Sequence, residues 1–117
     1  MTHLTPSEFT LSFRHEPGTL FVLIGGELDH DTSDDLLDEV SQELRATRPA
    51  PRDVRLDFRE LAHIDSSGLT ALLMIHRRTS ALGATLHLDN RPPHLDRMLQ
   101  LTNVLDHLTA PPTSTET

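Results

Sequence analysis

The stretch Asp65-Ser66-Ser67-Gly68 holds the residues of this sequence that are best suited to chemistry. A serine hydroxyl can act as a nucleophile, cap a helix or accept a phosphoryl group. The stretch does not fit the G-x-S-x-G pattern of serine hydrolases, because Ile64 stands where the first glycine belongs. No glycine run for an oxyanion hole precedes it, since Gly25-Gly26 is the only glycine pair. Hydrolysis is therefore the least favoured interpretation, and we predict no catalytic residue.

The composition excludes several other classes of protein. The chain has no cysteine, and its ten basic residues are all arginine, so thiolate zinc sites and catalytic lysines are ruled out. No two of the eight histidines lie three to five residues apart, so the helical spacing of zinc ligands is missing. We therefore predict no enzyme, no cofactor and no metal site.

Negative charge is concentrated in residues 27–43, which contain eight acidic residues and no arginine. This segment accounts for the whole formal net charge of −8. Direct nucleic-acid binding needs a basic surface and is not expected. The acidic residues form either a solvated helix face or a docking face for a basic protein partner. Because no apolar run approaches the ~18 residues of a membrane span, we expect a cytoplasmic protein without membrane insertion.

The hydrophobic pattern predicts four strands. Apolar and polar residues alternate over 9–13, 54–58 and 84–88, and residues 20–24 form a continuous apolar run. The turn Glu16-Pro17-Gly18-Thr19 predicts that the first two strands form a hairpin. Since three strands have one polar face, the helices should lie mainly on one face of the sheet.

Three helices are predicted from helical spacing and from their boundary residues. Thr32 is expected to cap the first helix, which Pro49 stops. The second starts near the two serines, with Ser67 as the capping or loop-ordering hydroxyl, and ends before Gly83. Pro92-Pro93 open the third helix, which residue 103, an asparagine, stops.

The order of these elements predicts a single α/β domain with a mixed sheet of four or five strands. We place the domain at residues 9–109, after an N-terminal extension of residues 1–8. Residues 110–117 are rich in proline, threonine and serine and are expected to be disordered. Residues 26–32 and the serine stretch should meet at the edge where parallel strands end. No cation lies in these loops to neutralise a phosphate, which favours a surface that another protein recognises.

Three stretches carry a resemblance to a known family: Gly26-Glu27-Leu28-Asp29 with Thr32, then Asp65-Ser66-Ser67-Gly68-Leu69, then Pro93, Leu95, Arg97, Met98 and Leu99. They resemble the STAS-domain anti-sigma factor antagonists of bacterial sporulation and stress regulation. The likeness runs from about residue 9 to residue 108, and the D-S-S-G-L loop is its most specific part.

The resemblance implies a STAS-like domain that binds an anti-sigma factor with serine kinase activity and releases a sigma factor. In that family the kinase phosphorylates the first serine of the loop, which matches Ser66, and a protein phosphatase removes the phosphate. Phosphorylation adds about −1.5 to −2 charges. We expect the helix N-terminus to offset part of this charge, so that docking is lost and the fold is kept. The predicted partner surface consists of Asp29, Asp31, Asp65, Ser66, Ser67, Gly68 and Thr70.

Two alternatives to this switch stay open. A STAS-type subunit can serve as a constitutive scaffold in a membrane transport system, and nothing in the serine loop excludes that role. A STAS module can also sense a small ligand within a larger stress-signalling complex, although such modules usually have an added sensory domain.

Overall fold

The computed structural model of the protein describes residues 9–102. The expected N-terminal extension, the tail at 110–117 and the helix stop at residue 103 lie outside these residues. The strands are β1 (Thr10–Glu16), β2 (Thr19–Leu28), β3 (Asp53–Ile64) and β4 (Thr85–Asp89). The helices are α1 (Ser33–Ala46), α2 (Ser66–Ala81) and α3 (Pro93–Leu101).

The predicted α/β fold with a mixed sheet is confirmed. The four strands lie in the order β1-β2-β3-β4. β1 pairs antiparallel with β2, and the other two pairs are parallel. Gly18 makes the hairpin turn possible, because its φ of +78° is readily adopted only by glycine. α1 and α2 cross from one parallel strand to the next, so both helices start at the edge where the preceding strand ends.

The helices cover one face of the sheet, as the strand pattern predicted. Leu20, Val22 and Ile24 are fully buried along β2, whereas Phe21 and Leu23 between them are only half-buried. β4 repeats this alternation of buried and half-buried residues. The outer face carries charged side chains, among them Arg55, which donates to Asp89 at 2.9 Å. None of the helices within residues 9–102 is both long and apolar enough to cross a membrane.

β3 continues to Ile64, well past the predicted strand end at Phe58. Its pairing register with β2 shifts twice between Leu23 and Glu27, and β3 supplies the extra residue each time. Such bulges break the two-residue period of a strand. Buried residues then recur at every third position of β3, namely Phe58, Leu61 and Ile64. The alternation that marked the first half of the strand in the sequence is therefore absent from the second half.

Candidate functional site

The two loops predicted to meet do meet at the carboxyl edge of the parallel strands. Leu28 and Ile64 are the last paired residues of β2 and β3. The next residue, Asp65, donates its backbone N–H to the carbonyl oxygen of Leu28 at 3.1 Å. The loop before α1 and the loop before α2 therefore start from one shared hydrogen-bonded position.

Asp65 caps α2. Its Oδ1 accepts the backbone N–H of Ser67 at 2.9 Å and that of Gly68 at 3.1 Å. A carboxylate that accepts the first free N–H groups of a helix is a favourable N-cap. The expectation that the Ser67 hydroxyl caps this helix is therefore wrong, because Asp65 stands at the N-cap position and Ser67 lies inside the first turn. The alternative role of ordering the loop finds no support either, because the Ser67 hydroxyl makes no hydrogen bond with any residue between 9 and 102.

The two serines differ in their surroundings. Ser66 is exposed, and its hydroxyl makes no hydrogen bond with any residue between 9 and 102. Its carbonyl oxygen accepts the hydroxyl of Thr70 at 3.0 Å, which holds the first turn of α2 together. Ser67 is half-buried and faces a groove against α1. Ser66 is therefore the serine that solvent and another protein can reach most easily.

Gly68 permits the close approach of α2 to the end of β2. A Cβ atom at this position would lie 2.7 Å from Cγ1 of Ile64 and 2.8 Å from the carbonyl oxygen of Leu28. Those distances are far below van der Waals contact, so no larger residue fits without moving the helix. Gly68 itself is buried, and its place in the site is to position Ser66 and Ser67.

The loop before α1 is ordered by its own side chains. Oδ1 of Asp29 accepts the backbone N–H of Asp31 at 2.9 Å and that of Thr32 at 3.2 Å. The Thr32 hydroxyl accepts the Asp29 N–H at 2.9 Å and donates to the carbonyl oxygen of Glu27 at 2.9 Å. Thr32 occupies the predicted N-cap position of α1 but makes no side-chain cap bond, because its hydroxyl is used by the loop. This outcome corrects the expected capping role.

A groove between the first turns of α1 and α2 joins the two loops. It has a volume of about 410 Å³. We call it the serine-loop groove. The residues that line it are His30, Ser33, Asp34, Leu37, Ser67, Thr70, Ala71 and Met74. Sequence reasoning found Ser67 and Thr70 but missed the α1 side. The signal available was the four-residue spacing of Ser33 and Leu37, which places both on one helix face.

The acidic residues of the site differ in how exposed they are and in whether their carboxylates accept hydrogen bonds. Asp29 and Asp65 are half-buried, and their carboxylates accept backbone N–H groups. Asp31 and Asp34 are exposed, and the outer face of α1 adds further exposed acids at Asp35, Asp38 and Glu39. No arginine lines the serine-loop groove. The site therefore combines a groove, the acidic face of α1 beside it and the exposed Ser66 at the start of α2.

Comparisons with known proteins agree with this architecture. A family model described as "Mlab, STAS domain" matches residues 11–110. The anti-sigma F factor antagonist of Paenibacillus polymyxa is 27% identical over 94 residues, which cover 80% of this chain and 79% of that protein.

Two solved structures show the same fold. An anti-sigma factor antagonist from Mycobacterium paratuberculosis superimposes with a TM-score of 0.75 at 21% identity, over 91% of this chain and 86% of the other. The Bacillus cell fate determinant SpoIIAA in its phosphorylated form superimposes with a TM-score of 0.64 at 24% identity, over 83% of this chain and 85% of the other.

Proposed function

Because the chain belongs to the STAS domain family, we propose that it is a cytoplasmic anti-sigma factor antagonist. It binds an anti-sigma factor that has serine kinase activity, and it thereby releases a sigma factor. The kinase switches the antagonist off by phosphorylating Ser66, and a protein phosphatase restores it. The protein acts through binding and catalyses no reaction itself. The curated relative is named as an antagonist of this class, which supports the general role.

The accessibility of Ser66 is the observation that carries the proposal. A kinase must bring the acceptor hydroxyl to the γ-phosphate of ATP, so the acceptor must be exposed and free of internal hydrogen bonds. Ser66 meets both conditions within the described residues. The Ser67 hydroxyl is also free of hydrogen bonds there, but Ser67 is half-buried in the serine-loop groove, so exposure is what favours Ser66. The turn that carries Ser66 is held in place by the Asp65 cap and by the close packing of Gly68 against Leu28.

Electrostatics supports an effect of phosphorylation on docking. The phosphate brings about −1.5 to −2 charges next to Asp65, whose carboxylate already accepts the N–H groups of Ser67 and Gly68. The helix N-terminus therefore offers less compensation to the phosphate than an uncapped helix would. Since Ser66 is exposed, water solvates the added charge and the fold persists. A partner that buries this turn must desolvate the charge, which opposes binding.

The proposed partner surface combines both loops. Asp31, Ser66 and Thr70 are its exposed members, and Ser67 contributes to the wall of the serine-loop groove. Asp29, Asp65 and Gly68 act mainly by holding the loops in place, because their polar or close contacts are made within the chain. The acidic face of α1 continues this surface and favours a partner with basic residues.

The decisive experiment combines affinity capture with mapping of the phosphate. The protein is used to capture partners from the source cell, and the captured kinase is then incubated with ATP and with the wild type, Ser66→Ala or Ser67→Ala. We expect phosphate on the 60–78 peptide of the wild type and of Ser67→Ala, and none on Ser66→Ala. We expect Ser66→Asp to keep its melting temperature and to bind the kinase weakly.

Two outcomes would contradict this proposal. Phosphate on Ser67 alone, or on neither serine, would show that Ser66 is not the acceptor. Capture of transporter subunits together with a permanently unmodified Ser66 would favour the scaffold alternative.

A further inference from the structure

A second groove lies at the end of the helix pair that is remote from the serines. It has a volume of about 230 Å³ and runs between the last turns of α1 and α2. We call it the distal groove. The residues that line it are Ser41, Leu44, Arg45, Arg78, Ala81 and Leu82. Both helices start at the carboxyl edge of the parallel strands, where Ser66 lies, so their last turns lie over the opposite edge of the sheet.

The floor and one wall of the distal groove are apolar. Leu44 is almost fully buried at its base. Leu82 is 45% exposed, and within residues 9–102 the only other exposed large hydrophobic side chain is Leu101. An exposed leucine beside a concave surface indicates a place where apolar surface can be removed from water.

The polar groups of the distal groove lack partners. Ser41 is only 6% exposed, and its Oγ has no hydrogen-bond partner within the described part of the chain. Buried hydroxyls are normally hydrogen-bonded, so one without a partner calls for an explanation. Ser41 thus adds a hydroxyl without a partner to the lining of the groove.

Arg45 and Arg78 supply the charge. Neither guanidinium forms an ion pair or a hydrogen bond with any residue in the range 9–102. Arg55 pairs with Asp89 and Arg91 pairs with Asp96, whereas Arg77 and Arg97 are also unpaired within this range. What sets Arg45 and Arg78 apart is that they line one groove, each in the last turn of its helix, where the helix dipole favours a cation. In a chain with a net charge of −8, two arginines on one groove make it locally positive.

We propose that the distal groove binds a small amphiphilic carboxylate. The alkyl chain lies on Leu44 and Leu82. The carboxylate lies between Arg45 and Arg78, whose planar donors suit two carboxylate oxygens. The Ser41 hydroxyl gains a partner when such a ligand fills the groove.

The size of the distal groove limits the ligand. Its volume of about 230 Å³ equals that of roughly eight water molecules at ~30 Å³ each. Drug-sized ligands occupy pockets of roughly 300–1,000 Å³. A medium-length alkyl carboxylate matches this volume better than a larger metabolite. The site is independent of the proposed switch, because it lies at the other edge of the sheet from Ser66.

The test is a titration of the ¹⁵N-labelled full chain with octanoate, followed by amide chemical shifts. We expect saturable shifts at Ser41, Arg45, Arg78 and Leu82, and none at Ser66. Acetate lacks the chain and octanol lacks the charge, so we expect both to shift these amides much less. Equal shifts with octanol, or no saturable shift with octanoate, would overturn the proposal.

Two variants distinguish binding at the distal groove from a general effect of positive charge on the protein. Arg45→Gln with Arg78→Gln should weaken octanoate binding by at least about tenfold, as expected for loss of charge-assisted hydrogen bonds. Arg77→Gln with Arg97→Gln is the matched control, since it also removes two charges from exposed arginines and neither residue lines the groove. Equal weakening in the control would overturn the site. Groove shifts with an acidic leucine-containing peptide, but not with octanoate, would also overturn it and indicate a protein partner.

Discussion

Asp65 donates its backbone N–H to the carbonyl oxygen of Leu28 at 3.1 Å, and this bond joins the loops of two neighbouring parallel strands. The same carbonyl oxygen is the backbone atom among those that leave no room for a side chain at Gly68. One peptide group at the end of β2 thus determines both where the serine turn begins and how closely α2 approaches the sheet. Stability at this edge and accessibility of Ser66 are therefore linked.

Removal of the α2 cap should destabilise the fold measurably. In Asp65→Ala, the N–H groups of Ser67 and Gly68 lose their carboxylate acceptor. We expect the free energy of unfolding to fall by about 1 kcal/mol, the usual value of an N-cap. Urea denaturation followed by circular dichroism measures this change. Asp38→Ala on the exposed face of α1 is the control, and an equal loss there would contradict the capping role.

Gly68→Ala should cost more than its size suggests. The new methyl group would lie 2.8 Å from the Leu28 carbonyl oxygen, which belongs to the backbone and cannot rotate away. We expect destabilisation of about 1–3 kcal/mol, as for overpacked core positions. Ser67→Ala at the neighbouring position should change stability by less than about 0.5 kcal/mol. A neutral Gly68→Ala in thermal unfolding would show that α2 can shift without cost.

The Thr32 hydroxyl can be tested with two close analogues. Thr32→Val keeps the shape but loses the bonds to the Asp29 N–H and the Glu27 carbonyl oxygen. We expect a loss of about 1–3 kcal/mol, given ~0.5–1.5 kcal/mol for each of the two hydrogen bonds. Thr32→Ser keeps the hydroxyl and should stay near the wild type. If Ser and Val behave alike in chemical denaturation, the methyl group and not the hydroxyl stabilises the loop.

Charge reversal at Asp34 should change partner binding without disturbing the loop before α1. This residue is exposed and lines the serine-loop groove, so Asp34→Arg changes the field without breaking the loop. We expect slower association with the captured kinase and a weaker dependence on salt. Asp29→Arg should slow association too, but it should also lower the melting temperature, because the Asp29 carboxylate accepts two backbone N–H groups.

The control for this pair is Glu16→Arg, which reverses a charge at the far end of β1. Surface-plasmon resonance at two salt concentrations gives the association rates. An effect of Glu16→Arg as large as that of Asp34→Arg would mean that net charge, and not the acidic face of α1, governs the encounter.

The sequence predicted the sheet, the hairpin and the three helices, because their hydrophobic periods were regular. It failed at the second half of β3, where two bulges replace the alternation. That failure explains the error at the helix cap. Aspartate and serine are almost equally good N-caps, so the choice between Asp65 and Ser67 depends on where the preceding strand ends. The strand end at Ile64 could not be read from the pattern.

The serine-loop groove could be predicted only in part for a different reason. Ser67 and Thr70 were found because they belong to a recognisable motif. Leu37 and Met74 look like ordinary core residues in a helical pattern, and only the packing of α1 against α2 shows that they line an open surface. The use of the Asp29 carboxylate inside its own loop was also invisible, since a hydrogen bond within a loop leaves no period in the sequence.

The mixture of one antiparallel pair and two parallel pairs has a consequence for the order of assembly. The β1–β2 hairpin closes through Pro17-Gly18 and can form within microseconds. β2 can pair with β3 only after the long segment between them has closed into a loop, since Thr19 pairs with Asp53. The entropy of closing that longer loop makes parallel pairing the slow step. The turn that presents Ser66 forms only once β2 and β3 are aligned, so under the proposed switch an incompletely folded chain would not present this turn to a kinase.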